Sequence, residues 1–335
     1  MKTSFLPKLV NAQTGDPALF IDILREKRGL LFDCGVLNNL AVSELLRISD
    51  LFISHTHIDH FIGFDHLLRL HLGRGRRVRV FGPRGITGCV RGKLAGYTWN
   101  LVRHQRLVYE VHEFDGRQCV ITEFVCRRKF RTGRIRRVPV EGPLWRDPWI
   151  QVQAAVLDHK IPCLAYRLTE RDFYNVDPVA LEASGLRPGP WLNELKHWVR
   201  AGRPAGARVR IDDAEHAAAP LADRLLIHSR GRRIGYVADA GFTPANQQAI
   251  VELMRDVDLL YCEGAFLEAD AQRAAVTHHL TARQAGELAR RAGAGRLVVF
   301  HFSPKYEGRF EELEAEAQAA FAGRPPPAAG ITAPG

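Results

Sequence analysis

Nowhere in the 335 residues is there an apolar run long enough to cross a bilayer. The N-terminal stretch MKTSFLPKLVNAQTGDPALF lacks the uninterrupted hydrophobic segment that an export signal needs. These absences exclude a membrane span and lead to the expectation of a cytoplasmic protein with no membrane partner. The six cysteines (Cys34, Cys89, Cys119, Cys126, Cys163, Cys262) form no CxxC pair. That excludes a zinc knuckle and argues against a disulfide framework, so they read as reduced, packed thiols. No internal repeat is present, and acidic residues are missing where basic ones gather. From Arg69 to Lys93 there are eight Arg/Lys and no Asp or Glu.

What is present is a chain 46% hydrophobic, long enough to bury a large core, with a formal charge of +10. Such a positive field draws polyanions and speeds their encounter. The segment RRKFRTGRIRR, residues 127 to 137, is the densest cluster, although a charge run is often only a solvated face. Apolar runs at 30–34, 50–54, 77–81, 151–157, 233–239, 258–263 and 296–302 predict strands. Helical periodicity predicts helices at 42–48, 64–72, 245–255, 281–292 and 310–321. Strands separated by helices imply a layered α/β architecture. We read residues 1–321 as one catalytic domain, interrupted by an inserted, Gly/Pro/Arg-rich arm at about 171–222. Residues 322–335 read as a disordered tail.

The most restrictive feature is SHTHIDH, residues Ser54 to His60, directly after the apolar run Leu51-Phe52-Ile53. In extended backbone, residues two apart share a side, so His55, His57 and Asp59 can converge. His60 can swing in as the chain turns into a helix. Imidazoles and a carboxylate at the C-terminal end of a strand suit a divalent transition metal, zinc above all. Four ligands this close cannot all serve one ion and leave room for substrate, which implies two metals with further ligands from elsewhere. Three candidates end other predicted strands: His159, Asp239 and His301.

These residues resemble the signature of the metallo-β-lactamase fold, and the chain is similar to the ribonuclease Z family, the endonucleases that trim tRNA 3′ ends. The resemblance is carried by LLFDCG, HTHIDH, VFGPRGI, LDHKIPCLAYRL around His159, YVADAG at Asp239, CEGAF at Glu263, HLTARQAGELAR at His279, and HFSPKY at His301. It implies an αββα four-layer sandwich. It also implies that His55, His57 and His159 hold one metal, that Asp59, His60 and His301 hold the other, and that Asp239 bridges them. The metals would be zinc, with manganese as the alternative. A hydroxide between them would be the nucleophile, since a bound metal lowers the pKa of water from 15.7 to roughly 7. Asp59 would orient that water, and His279, supported by Glu263, would protonate the departing oxygen.

The family carries an arm with a Gly-Pro motif between the third histidine motif and the bridging aspartate, and GLRPGPWLNELKHWVRAGRPAGARVR stands there in this chain. On that basis Arg187, Gly189, Pro190, Lys196, Arg200 and Arg203 are candidate RNA contacts, and a homodimer is expected. Trp191 and Trp198 could stack on the RNA or pack the arm onto itself. Ile58 departs from the family, which often has glycine there. His66 and His71, on the next helix, read as solvated or core residues, and segment 127–137 has no identified counterpart. The leading reading is an RNA endonuclease acting on precursor tRNA. A small-molecule hydrolase of the same fold, acting on cyclic nucleotides, thioesters or lactones, and a non-catalytic RNA-binding protein are the alternatives.

Overall fold

The structure is a computed structural model, described here for residues 5–24 and 26–323. Most of the predicted tail, residues 324–335, lies outside the described residues. None of the described helices is long and apolar enough to cross a membrane.

The chain divides into two compact units, one formed by residues up to 169 and from 232 onward, the other by Glu170–Gly231. In the first, an eight-stranded sheet takes its strands in chain order: β1 (Phe5–Leu9), β2 (Leu19–Ile23), β3 (Arg28–Phe32), β4 (Ile48–Phe52), β5 (Arg77–Pro83), β6 (Val108–Phe114), β7 (Gln118–Val125) and β8 (Thr132–Pro139). β3 to β6 run parallel and the two ends of the sheet are antiparallel hairpins. β9 (Trp145–Arg146), β10 (Ile150–Asp158) and β11 (Pro162–Glu170) begin a second sheet. β16 (Arg233–Val237), β17 (Leu259–Glu263) and β18 (Leu297–Phe300) complete it, in the order β18-β17-β16-β11-β10-β9.

Three separate apolar clusters make this unit a four-layer sandwich. Between the sheets lies an aromatic seam: Phe32 stacks on Phe52 at 5.0 Å and Phe52 on Phe81 at 4.7 Å, with Tyr166, Tyr236 and Phe300 closing it from the other sheet. A second cluster packs Leu31, Leu51, Val80 and Val111 against the helices Phe64–His71 and Ile86–Ala95. The third packs Val237, Leu260, Cys262 and Val299 against the helices Pro244–Leu253, Ala282–Arg291 and Phe310–Phe321. Alternating side chains of one strand therefore feed two cores, which is why the central strands are apolar on both faces. The fold is the αββα sandwich that the motifs imply.

The smaller unit holds β12 (Phe173–Val176), β13 (Arg208–Ile211), β14 (Ala214–Ala217) and β15 (Leu226–Ser229) as two antiparallel pairs, with helices Pro178–Ala183, Trp191–Arg200 and Ala218–Leu225. Its own core gathers Leu181, Trp191, Leu195, Val199, Val209 and Leu225. Trp191 is buried and its indole N–H donates to the Arg187 carbonyl at 3.0 Å. The Trp198 indole N–H likewise donates to Pro204 O at 3.0 Å. Both tryptophans are thus committed to the unit's internal packing. All six cysteines are free thiols.

Candidate metal centre

Five of the seven predicted ligands stand just past the C-terminal end of a strand, and Asp59 and His60 sit in the short helix Ile58–Phe61 that follows His57. His55 and His57 follow β4, His159 follows β10, Asp239 follows β16 and His301 follows β18. Since β16, β17 and β18 are parallel, their ends open on one side, and Glu263 closes β17 there too.

Two tight backbone approaches hold the histidine motif in place. A Cβ on Gly63 would sit 2.1 Å from the Gly35 carbonyl oxygen, and one on Gly35 would sit 2.6 Å from that of Asp59. Only glycine permits the hydrogen bonds Cys34 N–H to His60 O and Gly63 N–H to Cys34 O, both 2.8 Å, that dock the short helix Ile58–Phe61 onto the turn after β3. Asn246 ties a second pair of strand ends together. Its amide donates to Asp158 O at 2.9 Å and to Gly241 O at 2.8 Å, bracing the residues beside His159 and Asp239.

The predicted ligands form two groups that share Asp239. His55, His57, His159 and Asp239 bring one ligand atom each to within 4.8 Å of one another. Asp59, His60 and His301 do the same. The Asp239 carboxylate faces both: Oδ2 lies 3.4 Å from His159 Nε2 and 3.7 Å from His55 Nε2, while Oδ1 lies 2.9 Å from His301 Nδ1 and 3.4 Å from His60 Nε2.

Surrounding groups fix which imidazole nitrogen is free. Asp33, wholly buried, accepts the Ser54 backbone N–H (2.6 Å), the Ser54 hydroxyl (2.7 Å), the Tyr236 hydroxyl (2.8 Å) and His60 Nδ1–H (2.8 Å). With its proton given to Asp33, the Ser54 hydroxyl accepts from His55 Nδ1–H at 3.1 Å. The carbonyl of His278, held in the left-handed region at φ 58°, accepts from His159 Nδ1–H at 2.7 Å. In all three rings Nδ1 is thereby committed and Nε2 is the nitrogen that faces the cluster.

The electrostatics differ on the two sides of Asp239. Burial, then the neighbouring His60, holds His55 down to about 2, and burial with His159 also lowers His57, so these rings stay neutral as metal ligands must. On the other side of Asp239, burial again opposes charge on His60, but the carboxylates of Asp239 and Asp33 outweigh it and raise its pKa to about 10. Burial likewise disfavours charge on Asp59, yet the hydrogen bond from His301 and the charges nearby pull its pKa to about 2. His60 Nε2, Asp239 Oδ1 and His301 Nδ1 are buried, and despite the 2.9 Å approach of Oδ1 to His301 Nδ1 none of them makes a well-aligned hydrogen bond. Three orphaned polar atoms around one point, two of them imidazole nitrogens and one a carboxylate oxygen, are what a divalent cation would satisfy. The residues therefore fit divalent metal binding.

His279 and Glu263 stand beside this cluster. Glu263 is wholly buried; its Oε1 accepts the Ala240 N–H at 2.6 Å and its Oε2 accepts His279 Nδ1–H at 2.8 Å. That bond leaves His279 Nε2 uncommitted. Burial opposes charge on His279, but Glu263 outweighs it and raises the pKa. The helix Ala282–Arg291, capped reciprocally by Thr281 and Gln284, anchors the chain two residues later. In the smaller unit, Arg187 and Pro190 are exposed while Gly189, Lys196 and Arg200 are half-buried, and Arg203 is paired with Asp223 at 2.7 Å.

Sequence reasoning missed Asp33 and Asn246 as positioning residues. Asp33 had a signal, because it ends an apolar strand just as Asp239 does. Asn246, inside a helix, had none.

Residues 192–302 match the model of the beta-lactamase superfamily domain. The chain is 36% identical over 316 residues to a ribonuclease Z of Deinococcus radiodurans, covering 92% of this chain and 93% of that one. It is 31% identical over 301 residues to a ribonuclease Z of Geobacillus kaustophilus, covering 87% and 83%. Among solved structures it resembles a metallo-β-lactamase fold protein of Bacillus subtilis (TM-score 0.55, 16% identity, 94% and 93% coverage). The short form of human tRNase Z is also similar in fold (TM-score 0.51, 19% identity, 90% and 93% coverage). With the sandwich in place and a relative this similar over nearly its whole length, the chain belongs to the ribonuclease Z family of the metallo-β-lactamase fold.

Proposed function

We propose that this protein is a metal-dependent endonuclease that cuts precursor tRNA on its 3′ side. The observation that carries the reading is the His279–Glu263 pair set beside the ligand cluster, in a chain 36% identical to a ribonuclease Z. In this reading His55, His57 and His159 hold one divalent ion, Asp59, His60 and His301 the other, and Asp239 serves both. Such ions would act as Lewis acids on a phosphoryl oxygen and lower the pKa of water to roughly 7. Asp59, whose carboxylate stays ionised, orients the attacking water. His279 carries a proton on Nε2, because Glu263 holds Nδ1–H and favours the charged ring. It delivers that proton to the departing ribose oxygen, a poor leaving group as an alkoxide.

Zinc is the proposed metal, with manganese able to replace it, and the ligand set of imidazoles and carboxylates suits both. Arg187, Gly189, Pro190, Lys196, Arg200 and Arg203 are proposed to meet the RNA backbone, and the active form is proposed to be a cytoplasmic homodimer. Incubating the protein with end-labelled precursor tRNA and Zn²⁺ or Mn²⁺ tests the reading. We expect a single cut on the 3′ side of the tRNA body. Hydrolysis of bis(p-nitrophenyl) phosphate with intact precursor would overturn the substrate assignment.

A further inference from the structure

The densest basic segment of the chain has no part in the site described above. Residues 127–137 form a turn and then β8, the outermost strand of the eight-stranded sheet. Only Phe130 is buried. It wedges its ring against Trp99 at 4.8 Å and fixes the turn from below. Around that anchor the cations stand in solvent. Arg136 reaches Glu110 at 3.7 Å, but among the described residues Arg128, Lys129, Arg131, Arg134 and Arg137 have no carboxylate partner. A solvated surface usually interleaves both signs; this one is of a single sign over the whole element.

The sheet register says where this track runs. Reading across, Pro139 faces Gln118 on β7, Cys119 faces Phe114 on β6, Phe114 faces Pro83 on β5, and Phe81 faces Phe52 on β4. β8 therefore ends at the edge of the sheet from which His55 and His57 emerge, four strands away, about 19 Å at the usual strand spacing. It begins at the opposite end, and its eight residues cover about 26 Å. Such a length is too great for the scissile nucleotide alone and suits a helical arm of a folded RNA.

We infer that β8 and its turn form a phosphate-binding track for the double-helical body of the substrate RNA, separate from the metal centre. The inference rests on the endonuclease reading above. Arg134 and Arg137, three residues apart, leave opposite faces of this edge strand, so with the cations of the turn they flank an exposed edge. An A-form duplex offers backbone and 2′-hydroxyls rather than readable base edges, and unpaired cations along an edge are the chemistry that fits it. A second copy of this chain pairing along the open edge fits poorly, because antiparallel β8–β8 pairing would bring arginine rows together, the device by which edge strands avoid self-association.

The test replaces Arg128, Lys129, Arg131, Arg134 and Arg137 by glutamine, keeping Phe130 and Arg136. Wild type and variant are compared for precursor-tRNA binding across a salt series, tRNA cleavage, native mass and hydrolysis of bis(p-nitrophenyl) phosphate. The track predicts binding weakened by about tenfold or more, with a log–log salt slope shallower by about 0.7–0.9 for each phosphate that is no longer neutralised. Hydrolysis of the small diester stays at the wild-type rate, and a 12-base-pair RNA duplex competes with tRNA for the wild type only. An unchanged affinity and slope in the variant, while wild type still cleaves tRNA, overturns the track and leaves the endonuclease reading standing. A fall in native mass with unchanged RNA affinity also overturns it and assigns the edge to a second copy. Wild type that hydrolyses the diester yet neither binds nor cuts tRNA overturns both. Should the fivefold variant lose diester hydrolysis as well, the double variant Arg134→Gln/Arg137→Gln is judged by the same slope.

Discussion

His60 and His71 are both wholly buried, yet their surroundings push them in opposite directions. His71 lies among helices over the eight-stranded sheet, its Nε2–H donating to Leu45 O at 3.2 Å, and burial followed by the nearby Arg76 lowers its pKa to about 4. His60 meets the same burial but faces Asp33 and Asp239, and its pKa rises to about 10. Burial by itself expels charge from an imidazole. Only where the chain has also buried carboxylates, at a cost in desolvation, does the balance reverse, and those carboxylates need a cation. One histidine is a core residue with a polar edge. The other belongs to a site built to hold positive charge.

His279 sharpens the contrast most. It is only half-buried, against the buried carboxylate of Glu263, and its Nε2 is left uncommitted, as the proposed acid role requires. His279→Gln should lower the turnover of precursor tRNA by about 10²–10⁴, the usual range for general acid catalysis, with metal content unchanged. Nitrophenolate leaves readily as an anion, so bis(p-nitrophenyl) phosphate should be hydrolysed at nearly the wild-type rate. Equal losses on both substrates would contradict the acid role.

A smaller effect is expected one residue further out. Asp33→Asn keeps the shape but removes the charge that fixes His60 Nδ1–H, and partners of this kind typically govern metal affinity by about 10–100-fold. Chelator competition should show one weakened ion per chain, the one assigned to Asp59, His60 and His301. Unaltered affinity would mean Asp33 only packs.

The smallest effect belongs to His71. Its folded-state pKa lies below the ordinary 6.5, so the unfolded chain takes the proton first. The stability it contributes is complete above about pH 6.5 and is lost as pH falls toward about 4. His71→Gln should therefore flatten the acid side of the urea-denaturation profile by at most one proton, about 1.4 kcal/mol per pH unit. Parallel profiles would place no titration there.

What could be read from the sequence follows the same physics. β3, β4, β5, β10, β16, β17 and β18 were visible as apolar runs, because two cores demand apolar residues on both faces, whereas the interior strands β2, β6, β7 and β11 were not predicted. The candidate ligands stood out because imidazole and carboxylate at strand ends are rare. β1 was missed, a five-residue edge strand interrupted by Pro7. β8 was missed because alternating arginines carry no apolar period. The helix Trp191–Arg200 hid among Gly-Pro sequences although its apolar residues recur at helical spacing. The two tryptophans could not be assigned from sequence, since stacking on a base and packing in a small core call for the same side chain.

Native mass spectrometry of protein loaded with Zn²⁺, wild type against Asp239→Ala, tests the central claim most directly, because Asp239 faces both ligand groups at once. The account predicts two ions bound to each wild-type chain and the loss of most of both in the variant. A single ion in fully loaded wild type, or two ions retained without Asp239, would contradict it.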